Sequence, residues 1–295
     1  MMHQITSEFL SLADIKAIIK EHKKLVLSDS ATEKITNCRK YLDDKIKRAV
    51  DPIYGINTGF GSLCDTAISN EDLGQLQTNL VISHACGIGD EVPKEIVRLM
   101  ILLKIQGLSQ GHSGVQLATV QRLVDFYNND VTPIIYEQGS LGASGDLAPL
   151  AHLSLPLLGM GEVYHNNIRS TGASINQQMG WEAIQLQSKE GLALLNGTQF
   201  MSAYATHLLI QLEHLSDWAD FAAATSIDAF DGRIEPFDLL IHQVRPHEGQ
   251  IKTAEAIRTY LADSEIIKRK KAHVQDPYCL RCVPQVHGAS KDTIA

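Results

Sequence analysis

The stretch TQFMSAYATHLLIQLEHLSDWADFAAATSIDAF, residues 198–230, contains neither glycine nor proline. Met201, Tyr204, Leu208, Leu212, Leu215, Ala219 and Ala222 recur along it at helical spacing. A periodic helix longer than ~25 residues indicates a bundle or a coiled coil. The stretch sets the fold class as mainly α, with a soft boundary near residue 195. Residues 1–195 are expected to form a mostly helical N-terminal domain with minor β structure, and residues 196–295 the start of a long-helix bundle. Two domains also suit a chain of 295 residues, at ~100–200 residues per domain.

Upstream, Ser11 and Asp14 form a capping box ahead of Leu12, Ile15, Ile18 and Ile19. Ser30 and Glu33 repeat the device before Ile35, Cys38, Leu42 and Ile46. A third helix follows Ser69, with Leu73, Leu76, Leu80 and His84 in one stripe. Pro93 suits the first turn of a fourth, and Val115 to Tyr127 form a fifth. Strand signals are thin: Thr132 to Tyr136, and a hairpin over Glu162 to Ser170 turning at Asn166-Asn167.

Composition closes off several function classes. Net charge is −8, from 26 basic and 34 acidic residues, so no basic stripe is available for nucleic acid. With 44% hydrophobic residues the chain can bury a sizeable core. The most apolar run, Ile96 to Ile105, contains Arg98 and Lys104 and falls short of the ~18 residues of a membrane span. Glu8 and Asp14 stand where a signal peptide needs an apolar stretch, so export is not expected. Five cysteines are too few for a disulfide scaffold. Cys279-Leu-Arg-Cys282 is a lone C-x-x-C, the 12 histidines form no H-x-x-x-H pair, and no metal site is expected. The expectation is a soluble cytoplasmic protein with no nucleic-acid or membrane partner.

Chemistry concentrates in Gly139-Ser-Leu-Gly142-Ala143-Ser144-Gly145-Asp146. By composition this is a tight turn ahead of a helix. No Gly-Lys-Ser/Thr follows, so it is not a P-loop and no nucleotide is expected. Asp146 two residues after Ser144 excludes a nucleophile elbow. A third chemistry is open to Ala143-Ser144-Gly145. Attack of the Gly145 nitrogen on the Ala143 carbonyl closes a ring, and loss of water from Ser144 leaves an exocyclic alkene. The product is an electrophile, which ordinary side chains cannot supply.

The stretch running on to Leu150 resembles the signature of the aromatic amino acid ammonia-lyases. Three further segments agree in order and spacing: Tyr54-Gly-Ile-Asn-Thr-Gly-Phe-Gly61, Asn196-Gly-Thr-Gln199, and Gln275-Asp-Pro-Tyr-Cys-Leu-Arg-Cys-Val-Pro-Gln-Val-His287. The likeness covers essentially the whole chain. It implies the fumarase- and histidase-like helical fold and a 4-methylideneimidazol-5-one formed from Ala143, Ser144 and Gly145. It further implies that Tyr54 is the catalytic base, and that Asn196 and Gln275 supply polar groups around the ring and substrate. Tyr278 and Arg281 fall in the stretch that binds the substrate carboxylate, and Ser83-His84 lines the pocket for its side chain. By periodicity alone His84 is a hydrogen-bonded core histidine. Within the family, a polar pair suits an imidazole where phenyl-specific enzymes carry apolar residues.

The resemblance therefore implies elimination of ammonia from L-histidine to give trans-urocanate. Phenylalanine or tyrosine lyases, and aminomutases built on the same electrophile, remain alternatives. A fumarase or aspartase relative is disfavoured by the absence of a Gly-Ser-Ser-x-Met-Pro stretch. Members of the family form homotetramers, and they continue through a long helical half that supplies a pocket Phe and a catalytic Glu. Neither has a counterpart before Ala295, so a truncated, catalytically inactive fragment is the second alternative.

Overall fold

Ser11 caps the first helix as its sequence dictates. Its Oγ accepts the Asp14 N–H at 3.1 Å, and the Asp14 carboxylate accepts the Ser11 N–H at 3.1 Å. The reciprocal bonds satisfy orphan donors of the first turn, worth about 1 kcal/mol for such a cap. The computed structural model describes residues 1–48, 51–61, 66–69 and 71–295. It divides into two compact units, Met1–His207 and Leu208–Ala295.

In the first unit, β1 (Met2–Ile5) pairs in parallel with β2 (Lys24–Leu27), and α1 (Leu12–Lys20) connects them. The sequence marks neither strand, because four residues are too few to display a period. The strand pair also corrects the second helix start. α2 (Asp29–Arg48) begins ahead of Ser30, and Ser28 is its cap: the Ser28 Oγ accepts the Ala31 N–H at 3.0 Å. The Ser28 N–H donates to the Ile5 carbonyl at 2.9 Å, so the end of the strand pair decides where the helix starts. Ser30 and Glu33 stand exposed.

α3 (Leu73–His84) buries Leu73, Gln77 and Val81, while Leu76, Leu80 and His84 lie half-buried beside them. A buried glutamine in the stripe has a cause, since its Oε1 accepts the Gly191 N–H at 2.9 Å. That N–H is one of the orphan donors at the start of another helix. After β3 (Ile88–Glu91) come α4 (Lys94–Leu108), capped by Pro93, and α5 (Leu117–Asn128). Met100, Ile101, Leu102 and Ile105 of α4 and Leu123 and Phe126 of α5 are core residues.

Thr132 to Tyr136 is two strands instead of one. β4 (Thr132–Pro133) joins a three-stranded antiparallel sheet, and β5 (Tyr136–Gln138) pairs with β3. Between them Ile134 donates its N–H to the Glu162 carbonyl and Ile135 accepts from Val92, so the backbone switches sheets. α6 (Ala148–Ser154) and a short 3-10 turn (Leu155–Leu158) follow. The expected hairpin is β6 (Glu162–His165) and β7 (Ile168–Thr171). Its turn residues Asn166 and Asn167 have φ of 51° and 61°, the left-handed pair that closes a two-residue hairpin. α7 (Gly172–Met179) and α8 (Glu190–Leu195) complete the helices that precede the long one, and α8 packs on α3 and α6.

The long helix α9 (Gln199–Ala229) matches the expected stretch within a residue at each end. The division between the compact units and the sequence boundary near 195 bracket its beginning. In the second unit, Ala224 and Ile227 of α9 pack with Phe237, Ala254, Ile257, Leu261, Ile267 and Val283. These come from the chain around α10 (Leu239–Gln243), α11 (Glu248–Leu261), α12 (Tyr278–Arg281) and α13 (Val283–Ile294). α11 and α13 meet backbone to backbone: a Cβ on Gly288 would lie 2.5 Å from the Gln250 Cα. Buried Asp220 of α9 holds α13 through His287 at 2.8 Å and Lys291 at 3.1 Å. Leu208, Leu212 and Leu215, part of the expected apolar stripe, are exposed.

Candidate active site

The glycines of the 139–146 stretch each occupy backbone regions that other residues avoid. Gly139, Gly142 and Gly145 have φ of 142°, 82° and 124°. Gly145 is constrained twice, since a Cβ there would lie 2.7 Å from the Gly197 nitrogen and 3.0 Å from the Asn196 Cα. Ala143 and Ser144 are exposed, whereas Gly145 and Asp146 are buried. Pro149 then fits the first turn of α6.

Asp146, with no exposed surface, ties this loop to the link between α8 and α9. Its N–H donates to the Gly197 carbonyl at 2.7 Å. Its carboxylate accepts the Phe200 and Met201 N–H groups at 2.8 and 3.3 Å, and the Ser140 hydroxyl at 3.1 Å. A carboxylate on the first free N–H groups of a helix complements the helix dipole. On the same link, Asn196 leaves the helical conformation (φ −85°, ψ 93°) and its Nδ2 donates to the Ser144 carbonyl at 2.8 Å. Ser144 and Asn196 are thus in direct contact, as are Gly145 and the backbone that follows Asn196.

Ser83 and His84 occupy the last turn of α3. His84 Nδ1 donates to the Leu80 carbonyl at 2.8 Å, which leaves Nε2 of a neutral ring as an acceptor. The Ser83 hydroxyl donates to the same carbonyl at 3.0 Å. Just beyond the pair, the Gly87 N–H donates to His152 Nε2 of α6 at 3.0 Å. Burial holds the His152 imidazole below its usual pKa, in keeping with a neutral acceptor. A Cβ on Gly139 would lie 3.2 Å from the Gly87 Cα, so the segment after His84 is packed against the start of the glycine stretch. Tyr54 is 59% exposed, with its ring edge-on to Phe60. The adjacent Gly55 (φ 73°) packs so closely on Leu192 of α8 that a Cβ would approach Leu192 Cδ2 to 2.7 Å.

Gln275, Tyr278 and Arg281 lie in the second unit. Gln275 and Arg281 line a pocket of about 340 Å³ together with Arg233, Glu235 and Gln285. The Arg281 guanidinium stacks on the Tyr278 ring, 4.4 Å from its centroid, and its buried Nε has no hydrogen-bond partner. Asp276 anchors the segment, accepting the Arg233 N–H at 2.6 Å and meeting His273 Nε2 at 2.6 Å. A planar donor set with a free buried N–H is suited to a carboxylate.

Two residues to which the sequence reading gave no role stand out in the first unit. Asp146 lay inside the quoted motif, and its cue was an acid next to glycines ahead of a helix. Lys104 lay inside the apolar run of α4, where a cation flanked by buried residues signals an enclosed, partnered charge. It is 2% exposed. Among the described residues no group of three or more His, Cys, Asp or Glu could hold a metal ion, and Cys38, Cys86, Cys279 and Cys282 are free thiols. No helix among them is long and apolar enough to cross a membrane.

The family model for aromatic amino acid lyases matches residues 10–295. The histidine ammonia-lyase of Natranaerobius thermophilus is 45% identical over 293 residues, which are 99% of this chain and 57% of that protein. The crystal structure of histidine ammonia-lyase from Trypanosoma cruzi is similar with a TM-score of 0.88 at 36% identity, covering 100% of this chain and 55% of that one. Ergothionase from Treponema denticola, solved with desmethyl-ergothioneine sulfonic acid, gives a TM-score of 0.93 at 26% identity, covering 100% and 59%. The chain spans a little over half the length of these relatives.

Proposed function

The chain belongs to the aromatic amino acid lyase family, and from that premise we propose that it serves an ammonia-lyase reaction converting L-histidine to trans-urocanate and ammonia. The observation that carries this reading is Gly145, held at φ 124° against Gly197 where no side chain fits, beside a Ser144 whose carbonyl is held by Asn196. These residues fit a 4-methylideneimidazol-5-one. Its formation joins the Gly145 nitrogen to the Ala143 carbonyl carbon, releases that oxygen as one water, and releases the Ser144 hydroxyl with its α-hydrogen as a second. The group supplies an electrophile that turns the substrate's amine into a better leaving group.

The remaining chemistry falls to this chain's own side chains. Arg281, with Tyr278 stacked on it and Gln275 in the same pocket, binds the substrate carboxylate and converts a loose encounter into an oriented one. His84, with Nδ1 occupied by Leu80, offers Nε2 to the N–H of an imidazole, and Ser83 adds a polar wall. Tyr54 is the base that takes the β-proton. The same proposal places the enzyme in the cytoplasm as a homotetramer. A second reading is favoured by the exposure of Tyr54, Ala143 and Ser144, which leaves water free to reach the electrophile. On that reading these 295 residues by themselves are catalytically inactive.

Substrate choice separates histidine from the phenylalanine, tyrosine and aminomutase alternatives. In an enzyme of the relatives' length, urocanate formation from histidine, followed by absorbance, should exceed cinnamate formation from phenylalanine by about 10⁴-fold in kcat/KM. His84→Phe is expected to erode that ratio by about 10²-fold through lost imidazole recognition. A wild type that prefers phenylalanine or tyrosine overturns the histidine assignment. Near-normal turnover from the 295 residues alone overturns the second reading.

A further inference from the structure

We propose that Lys104 is a positioning residue for the Asn196 turn: from behind the turn, its amino group takes the Ala193 carbonyl and so sets where α8 stops and Asn196 meets Ser144. The inference rests on the reading of Ala143-Ser144-Gly145 as the electrophile loop. Lys104 Nζ donates to the Ala193 carbonyl at 2.8 Å and lies 3.5 Å from Gln199 Oε1. Ala193 is in the last turn of α8, where carbonyls lack intrahelical partners. A continuing helix would present the Gly197 N–H to that carbonyl. With Lys104 as donor in its place, the chain leaves the helix at Asn196. Gly197 then turns its nitrogen toward Gly145 and its carbonyl to the Asp146 N–H.

Charge follows the same layout. The Glu190 carboxylate, without exposed surface, accepts the Gln187 N–H at 2.7 Å, the Gln116 N–H at 2.9 Å and the Thr119 hydroxyl at 2.7 Å where α8 starts. Lys104 stands where α8 ends, and Asp146 where α9 begins. Each charge has the sign that suits the helix end it meets. Burial brings the Lys104 ammonium down to about 7, and Asp146 is the charged group that pulls it back up. A surface-type lysine held by packing alone has no reason to meet orphan carbonyls at a helix end.

The coupling can be read without turnover, by amide hydrogen exchange of the 195–201 segment and Asp146 as a function of pH. If Lys104 holds the turn, opening the turn releases Lys104 to water, where its pKa returns to ~10.4. The closed state then binds fewer protons than the open one above about pH 7, so closure strengthens as pH rises. After correction for intrinsic exchange, protection should be flat below about pH 7 and rise above it, toward tenfold per pH unit. Lys104→Met should lose this rise and expose the segment about tenfold more at pH 6, while amides of α5 keep their protection. Lys104→Arg, which keeps a donor and its charge, should restore protection at pH 6 without the rise. A wild-type segment whose corrected protection is flat from about pH 6 to 9 overturns the proposal, even if Lys104→Met fails to fold. So does wild-type protection in folded Lys104→Met. A wild-type protein at its full sequence mass, with Ser144→Ala lighter than it by only the one hydroxyl oxygen, would instead overturn the electrophile reading, and leaves the exchange result standing.

Discussion

Ser144→Ala, introduced into an enzyme of the relatives' length, is expected to keep its full sequence mass and to lose at least ~10³-fold in turnover. The wild-type protein should be lighter than its sequence by two waters. Within Ala143-Ser144-Gly145 no other residue can supply the alkene: Ala143 lacks a leaving group, and position 145 admits no Cβ beside Gly197. The fall should appear in kcat and leave KM nearly unchanged, because the binding proposed for Arg281 and His84 does not depend on the Ser144 hydroxyl. Intact-mass spectrometry of wild type and variant, alongside urocanate absorbance, decides the matter. A wild type at full sequence mass with normal turnover would require a different source of electrophile.

The second large effect concerns Arg281. Its unpartnered buried Nε and its stacking on Tyr278 leave a planar donor set already oriented and waiting for a partner. Arg281→Met is expected to lower kcat/KM for histidine by about 10²–10³-fold. Arg281→Lys should recover only part of this, since a single ammonium cannot reproduce a fork of parallel donors. Inhibition by imidazole, which has no carboxylate, should stay within about twofold of wild type. Equal losses for histidine and imidazole would mean that the arginine shapes the pocket without binding the acid.

Helices were legible where their signals were local. The Ser11–Asp14 box needs only residues three apart, and α9 declares itself by the absence of any breaker over its length. The start of α2 was misread because its cap answers to a distant partner, the Ile5 carbonyl that fixes Ser28. Gln77 escaped the core stripe of α3 for a similar reason, its acceptor being needed by Gly191. The short strands β1, β2 and β3 owe their existence to pairing across sequence, which no four-residue window contains. Within the candidate site, Ala143-Ser144-Gly145 and Asn196 could be picked out by motif, but the bond between Ser144 and Asn196 could not. Asp146 and Lys104 were overlooked because each acts on the end of a helix far away in sequence.

The exposed leucines of α9 carry a consequence for how the protein behaves in a test tube. Leu208, Leu212 and Leu215 lie four and three residues apart, so they form one continuous ridge that water must cover. Covering apolar surface costs little enthalpy near room temperature and grows more unfavourable on warming. Self-association through that ridge should accordingly be weakest in the cold and strengthen with moderate heating or added sulfate. A cold, low-salt buffer is the condition in which the chain stays dispersed, the reverse of what an association held by ion pairs would require.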